Sequence, residues 1–161
     1  MSTISSRSAA VFAGLVAMLL AWAPLCPRIS QAADVASDRD LCRRLWEGHL
    51  EAVRAAQPEG MAFAKEAVLV YPDMLELRGR EAIHAHLAKA FAARKTLEAG
   101  FRIDSCEVVG ARTYTFVTVD ELAQEGTAPA ARRHARYATV WEQQADQSWL
   151  IARSLVNYRK P

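Results

Sequence analysis

The chain has 161 residues, with 20 Lys and Arg, 18 Asp and Glu, 4 His and 3 Cys. That length fits one domain, and 52% hydrophobic with 24% charged residues excludes low-complexity and collagen-like chains. A formal charge of +2 is too small for a dedicated nucleic-acid binder, which needs a concentrated basic surface.

The first 32 residues differ from the rest. Ala9 to Ala23 is an unbroken run of 15 apolar and small residues, preceded by Arg7 and closed by Pro24, Pro27 and Arg28. A bilayer-spanning helix needs about 20 apolar residues, so the run is short for an anchor and fits the core of a signal peptide. Small residues at Ser30 and Ala32 predict cleavage after Ala32, giving a signal peptide over 1–32 and one domain over 33–161. The residues before Cys26 are Ala23-Pro24-Leu25, which argues against a lipoprotein signal. Removing 32 of 161 residues leaves 129, and the loss of Arg7 and Arg28 leaves 18 basic against 18 acidic residues. The expected location is periplasmic or secreted, with no membrane association after cleavage. Cys42 and Cys106 remain, and in an oxidising compartment they form either one disulfide or two buried thiols.

Ser37 to Ala56 reads as a helix, with Leu41, Leu45, His49 or Leu50, and Val53 at helical spacing. Pro58 to Ala64 predicts a short second helix, and Ala67 to Tyr71 a strand. Pro72-Asp73 turns the chain, and Met74 to Leu77 returns as a strand. Arg80 to Lys95 predicts a third helix with Ile83, Leu87, Phe91 and Ala92 on one stripe. Gly100 ends the following linker. Strands follow over Phe101–Val109, Arg112–Leu122, Arg133–Glu142 and Ser148–Tyr158. In the third of these, Ala135, Tyr137, Thr139 and Trp141 alternate with His134, Arg136, Ala138 and Val140. This order predicts an α+β fold: three helices packed on a curved, mixed, mostly antiparallel sheet.

A combination of short patterns carries a family resemblance. Phe63-Ala64-x-x-Ala67 leads into a strand ending at Tyr71-Pro72, and Leu77-x-Gly79-Arg80-Glu81-Ala82-Ile83 opens a helix. Arg136-Tyr137-Ala138-Thr139-Val140-Trp141 and Trp149-Leu150-Ile151-Ala152 close the sheet. Over about residues 37 to 158 the chain resembles the cone-shaped SnoaL-like and nuclear-transport-factor-two-like proteins, closest to exported bacterial members of uncharacterised function. The resemblance implies a cone with an internal cavity. Ketosteroid isomerases of this fold place an acidic base where Tyr71 stands, a protonated acid where Thr139 stands and a tyrosine near Trp46. Tyrosine is a poor base at neutral pH, so the resemblance implies the cavity without that chemistry. The kinase-hub association domains of this fold place arginines at the positions of Thr139 and Val156, and neither is present.

Other constellations are weak. His84 and His86, two apart on a helix, point to nearly opposite sides, and Glu81-x-x-His84 lacks a second copy, so no metal site and no cofactor is expected. His86 falls nearer the Ile83 stripe than His84. His134 shares the outward parity of its strand, and Cys42 packs with Leu45 and Trp46. The aromatic and neutral residues Trp46, Tyr71, His86, Tyr114, Phe116, Tyr137, Thr139 and Trp141 are the candidate lining of the cone, suited to a small apolar molecule. The favoured expectation is an exported homodimer binding such a molecule. The alternatives are an isomerase, cyclase, dehydratase or hydrolase using Tyr71, His86 or Asp73, and a structural association module that pairs through the outer sheet face.

Overall fold

A computed structural model describes residues 28–72 and 76–159. Its elements are α1 (Arg28–Arg54), β1 (Phe63–Val70), β2 (Glu76–Arg78), α2 (Arg80–Ala93), β3 (Arg94–Val109), β4 (Arg112–Glu125), β5 (Ala131–Gln143) and β6 (Trp149–Arg159). They form one six-stranded sheet in the order β2-β1-β6-β5-β4-β3. β3 through β6 run as an antiparallel meander, and β1 joins β6 in parallel. The fold is α+β with a mixed sheet, as its element order predicts.

The long strands curl because their register breaks. β3 slips against β4 between Thr96 and Glu98 and again between Ile103 and Ser105, and such bulges bend and twist a strand. Gly110, at a φ of 58°, makes the tight β3–β4 connection, where the left-handed region suits glycine. The two helices cross the concave face. α1 contributes Cys42, Trp46, His49 and Leu50 to the interior, and α2 contributes Ile83 and Leu87. A disulfide between Cys42 and Cys106, with Cα atoms 6.4 Å apart, fastens α1 to β3.

Two expected elements are corrected. The helix predicted over Pro58–Ala64 is a single 3-10 turn at Pro58–Gly60, so two α-helices are found rather than three. The chain passes so near α1 that a Cβ at Gly60 would lie 3.0 Å from Ala52 Cβ. Past that point, Ile151 N–H donates to Ala62 O and draws the backbone into the sheet. The third predicted helix ends at Ala93, and residues expected as its last turn and a linker open β3. Their cross-strand pairing runs from Arg94↔Glu125 to Gly100↔Asp120. The predicted cleavage point after Ala32 falls within α1, while the apolar run Ala9–Ala23 and Cys26 lie outside the described residues. Among the described residues no helix is long and apolar enough to cross a membrane.

Candidate functional site

The interior of the cone has two unlike ends. At the narrow end, alternation along β4 turns Thr113, Thr115, Val117 and Val119 inward. Thr115 Oγ1 accepts the indole N–H of Trp46 at 3.0 Å and of Trp141 at 3.2 Å, and donates to Thr139 O at 3.4 Å. That uses the donor and both acceptor sites of one hydroxyl. Thr139 Oγ1 and Ser154 Oγ share a further hydrogen bond of 3.0 Å. The two indoles meet edge to face with centroids 6.2 Å apart, and Trp46 meets the Tyr137 ring at 5.2 Å.

At the wide end lies a cavity in which water-molecule centres have about 40 Å³ of room. One water needs roughly 10–15 Å³ by that measure, so the space is real but small. Its walls are apolar and come from both helices and the sheet: Leu50, Val53, Met61, Phe91, Val119 and Val156 among them. Into it project His49, Arg94, Glu121 and three tyrosines, Tyr71, Tyr137 and Tyr158.

Some of the polar groups there are partnered and two nitrogens are not. Arg94 Nη2 stands 3.6 Å from Glu121 Oε1, with the side chains only 15% and 10% exposed. Thr96 Oγ1 donates to the same Glu121 oxygen at 2.5 Å. Arg94 Nε and His49 Nδ1 are buried with no hydrogen-bond partner among the described residues. A buried polar group without a partner is costly and calls for a reason. Burial depresses the His49 pKa from 6.5 to about 4, so the imidazole is neutral near pH 7. Burial, and then the neighbouring Tyr158, raise the pKa of Tyr71, while Arg94 opposes. Tyr137 is likewise pushed well up, first by burial and then by Tyr158 and Tyr71. All three effects keep these groups uncharged. The Arg94 guanidinium is held charged: burial is the largest influence and works against it, and Glu121, Tyr158 and Tyr137 together outweigh that.

The sequence-predicted candidates separate accordingly. Tyr71 and Tyr137 line the cavity. Trp46, Thr139 and Trp141 are buried in the packed narrow end, because Thr115 and one another satisfy them. His86 stands behind Tyr71, with ring centroids 5.2 Å apart, and does not reach the lining. Tyr114 and Phe116 are corrected outright. They face outward, since the threonines and valines of β4 occupy the inner parity, and Phe116 is 57% exposed. Asp73 lies outside the described residues. His84 turns away from His86, with Nε2 3.2 Å from Met61 O and its ring against Phe63.

No protein-family model and no curated protein matches the chain. Solved structures do. A ketosteroid isomerase-like protein from Erwinia carotovora atroseptica superposes with a TM-score of 0.67 at 13% identity, over 74% of this chain and 94% of that one. An NTF2-like protein from Cytophaga hutchinsonii gives 0.64 at 13% identity, over 75% and 98%. The chain has the NTF2-like fold. A domain with a cystatin-like fold from Nostoc punctiforme agrees, at 0.61 and 18% identity over 78% and 79%. Such identities establish the NTF2-like cone and leave its contents to be read from this chain's own residues.

Four of those residues escaped the sequence reading. Arg94 sits in a segment that reads as the end of a helix. Glu121 shares the inward parity of Val117 and Val119, and a charge on that parity was the available signal. His49 shares a helical face with Trp46, and Tyr158 closes the last predicted strand. Glu121 also qualifies the inference from Tyr71 and Thr139, since a carboxylate does enter the cone, from β4.

Proposed function

We propose that the protein is an exported NTF2-like module that binds a small molecule at the wide end of its cone and pairs with a second copy through the outer face of its sheet. One observation carries the binding reading: an apolar cavity whose wall holds a largely buried guanidinium–carboxylate pair, an imidazole and three phenols. The occupant is mainly apolar, in keeping with the walls, with one polar group directed at Arg94, Glu121 and the tyrosines. The disulfide accords with an oxidising compartment beyond an export signal.

The pairing reading rests on the opposite face. Phe116↔Ala138, Ala138↔Leu155 and Leu155↔Val70 are register partners, so one apolar row crosses β4, β5, β6 and β1. Tyr114↔Val140 forms a second, shorter row beside it. Phe116 is 57% and Leu155 50% exposed. Contiguous exposed apolar surface of this kind marks an interaction face. Arg102, Asp104, Arg112, Arg136 and Glu142 lie on neighbouring strand positions and supply charges of both signs for a polar rim.

The test of both is native mass spectrometry of protein purified from its own host. A dimer mass carrying a small adduct that leaves on denaturation supports the reading. A bare monomer at micromolar concentration contradicts both halves. One observation favours enzymatic use of the same site: Glu121 is a buried carboxylate beside protonated tyrosines, an arrangement able to move a proton. Conversion of the recovered adduct by fresh protein, abolished in Glu121→Gln, would show it.

A further inference from the structure

The cavity carries one charge of each sign on its wall. Of the described residues that line it, only Arg94 and Glu121 are charged near pH 7. Arg94 Nη2 stands 3.6 Å from Glu121 Oε1, and the two side chains are 15% and 10% exposed. They are paired with each other and largely shielded from water. Burial keeps His49 neutral, with a pKa of about 4, and pushes the Tyr71 and Tyr137 phenols away from ionising. Arg54 donates to the carbonyl of Ala99, a wall residue, but its own side chain is exposed to solvent, which screens it. The interior charges therefore balance. A ligand ion entering there loses its hydration and meets one like charge for every opposite one. An uncharged polar group loses far less on burial.

On the reading that this cavity binds a small molecule, we propose that its occupant is uncharged, and that the Arg94–Glu121 pair is the specificity determinant that turns away ions of either sign. A carboxylate or phosphate drawn to the arginine is repelled by the glutamate, and an amine drawn to the glutamate is repelled by the arginine. The body of the occupant packs on Leu50, Val53, Phe91 and Val119. Room of about 40 Å³ for water centres becomes roughly the size of a six-membered ring once the water radius is added back. Any apolar cavity disfavours ions to some degree. What marks the pair is the response when one member is removed. Glu121→Gln keeps the shape of the side chain and leaves the arginine uncompensated. An arginine does not shed its charge, so the cavity then turns toward anions.

The experiment titrates the purified protein at pH 7 with three probes of similar size: cyclohexanone, cyclohexylammonium and cyclopentanecarboxylate. Binding is followed through the backbone amide signals of Val119 and Val156 in 15N-resolved NMR. Cyclohexanone is expected to bind roughly tenfold more tightly than either ion. In Glu121→Gln the carboxylate should gain roughly tenfold relative to cyclohexanone, and the ammonium should gain nothing. Either ion binding within about threefold of cyclohexanone on the unaltered protein overturns the proposal and leaves the small-molecule reading standing. An unchanged ranking in Glu121→Gln overturns the role given to the pair. If none of the three perturbs the cavity at roughly 10 mM, the small-molecule reading falls as well. Should Glu121→Gln fail to fold, Arg94→Gln supplies the mirror test, with the ammonium gaining in place of the carboxylate. Should both fail, the ranking on the unaltered protein decides alone.

Discussion

The two ends of the cone both carry aromatic rings and differ in how their polar groups are satisfied. At the narrow end, two indoles and two threonines form a set in which Thr115 alone serves three partners, and Thr139 hydrogen-bonds Ser154 on the cavity wall. The exception at that end is Thr113, whose buried hydroxyl has no partner. At the wide end a guanidinium, a carboxylate, an imidazole and three phenols surround a void, and two nitrogens go unpaired. A filled, satisfied region contributes stability. An under-satisfied region beside a cavity costs stability, and a fold retains it where something else fills it. The difference separates the core from the site, although both ends carry aromatic rings.

Substitutions should break the two ends differently. Trp46→Ala removes a fully buried ring and the N–H that Thr115 accepts, and should cost about 3–5 kcal/mol of stability in urea unfolding. Cys42→Ser with Cys106→Ser unpins α1 from β3 and frees a loop with a sequence separation of 64. The expected loss is about 2–4 kcal/mol, reproduced by dithiothreitol on the unaltered protein.

His49 predicts a pH dependence from the wide end. Its pKa is lowered from 6.5 to about 4 in the folded chain by burial. As pH falls below 6.5 the unfolded chain takes the proton first, so stability declines until pH passes about 4 and is constant below. Between pH 7 and pH 5 this amounts to about 2 kcal/mol. His49→Leu should remove that part of the slope, and an unaltered slope would show that the imidazole is not buried neutral. The smallest expected effect on folding lies outside the cone. Phe116→Ser with Leu155→Ser should change monomer stability by about 0.5 kcal/mol or less. The same double variant should convert a dimer to monomer in light scattering.

The sequence exposed the fold more fully than the site. Alternation in Arg133–Glu142 assigned Ala135, Tyr137, Thr139 and Trp141 to the inside correctly, because His134 and Arg136 set the outward parity beside Ala135 and Tyr137. On β4 the choice is between aromatics and threonines. Aromatics are core residues by default, so Tyr114 and Phe116 read as lining. The inner face instead takes Thr115, whose hydroxyl the two indoles need, and no local pattern reveals a partner 69 residues away. Arg94 was hidden for a related reason. Arg94-Lys95-Thr96-Leu97-Glu98-Ala99 contains good helix formers, and only pairing with β4 makes it a strand. Two residues on different strands, Arg94 and Glu121, define the site; register sets Arg94 opposite Glu125 and Glu121 opposite Ala99, so the arginine reaches the carboxylate only along the length of its side chain.

The central claim is that a small molecule enters the wide end and leaves the narrow end undisturbed. Arg94 Nε–H and the indole N–H groups of Trp46 and Trp141 report separately in one 15N-resolved spectrum. Titration with a small, mainly apolar probe such as cyclohexanone should shift the Arg94 Nε–H signal and leave both indole signals in place. Displacement of the indole signals with Arg94 unmoved would put the binding site in what is described above as core, and would contradict the account.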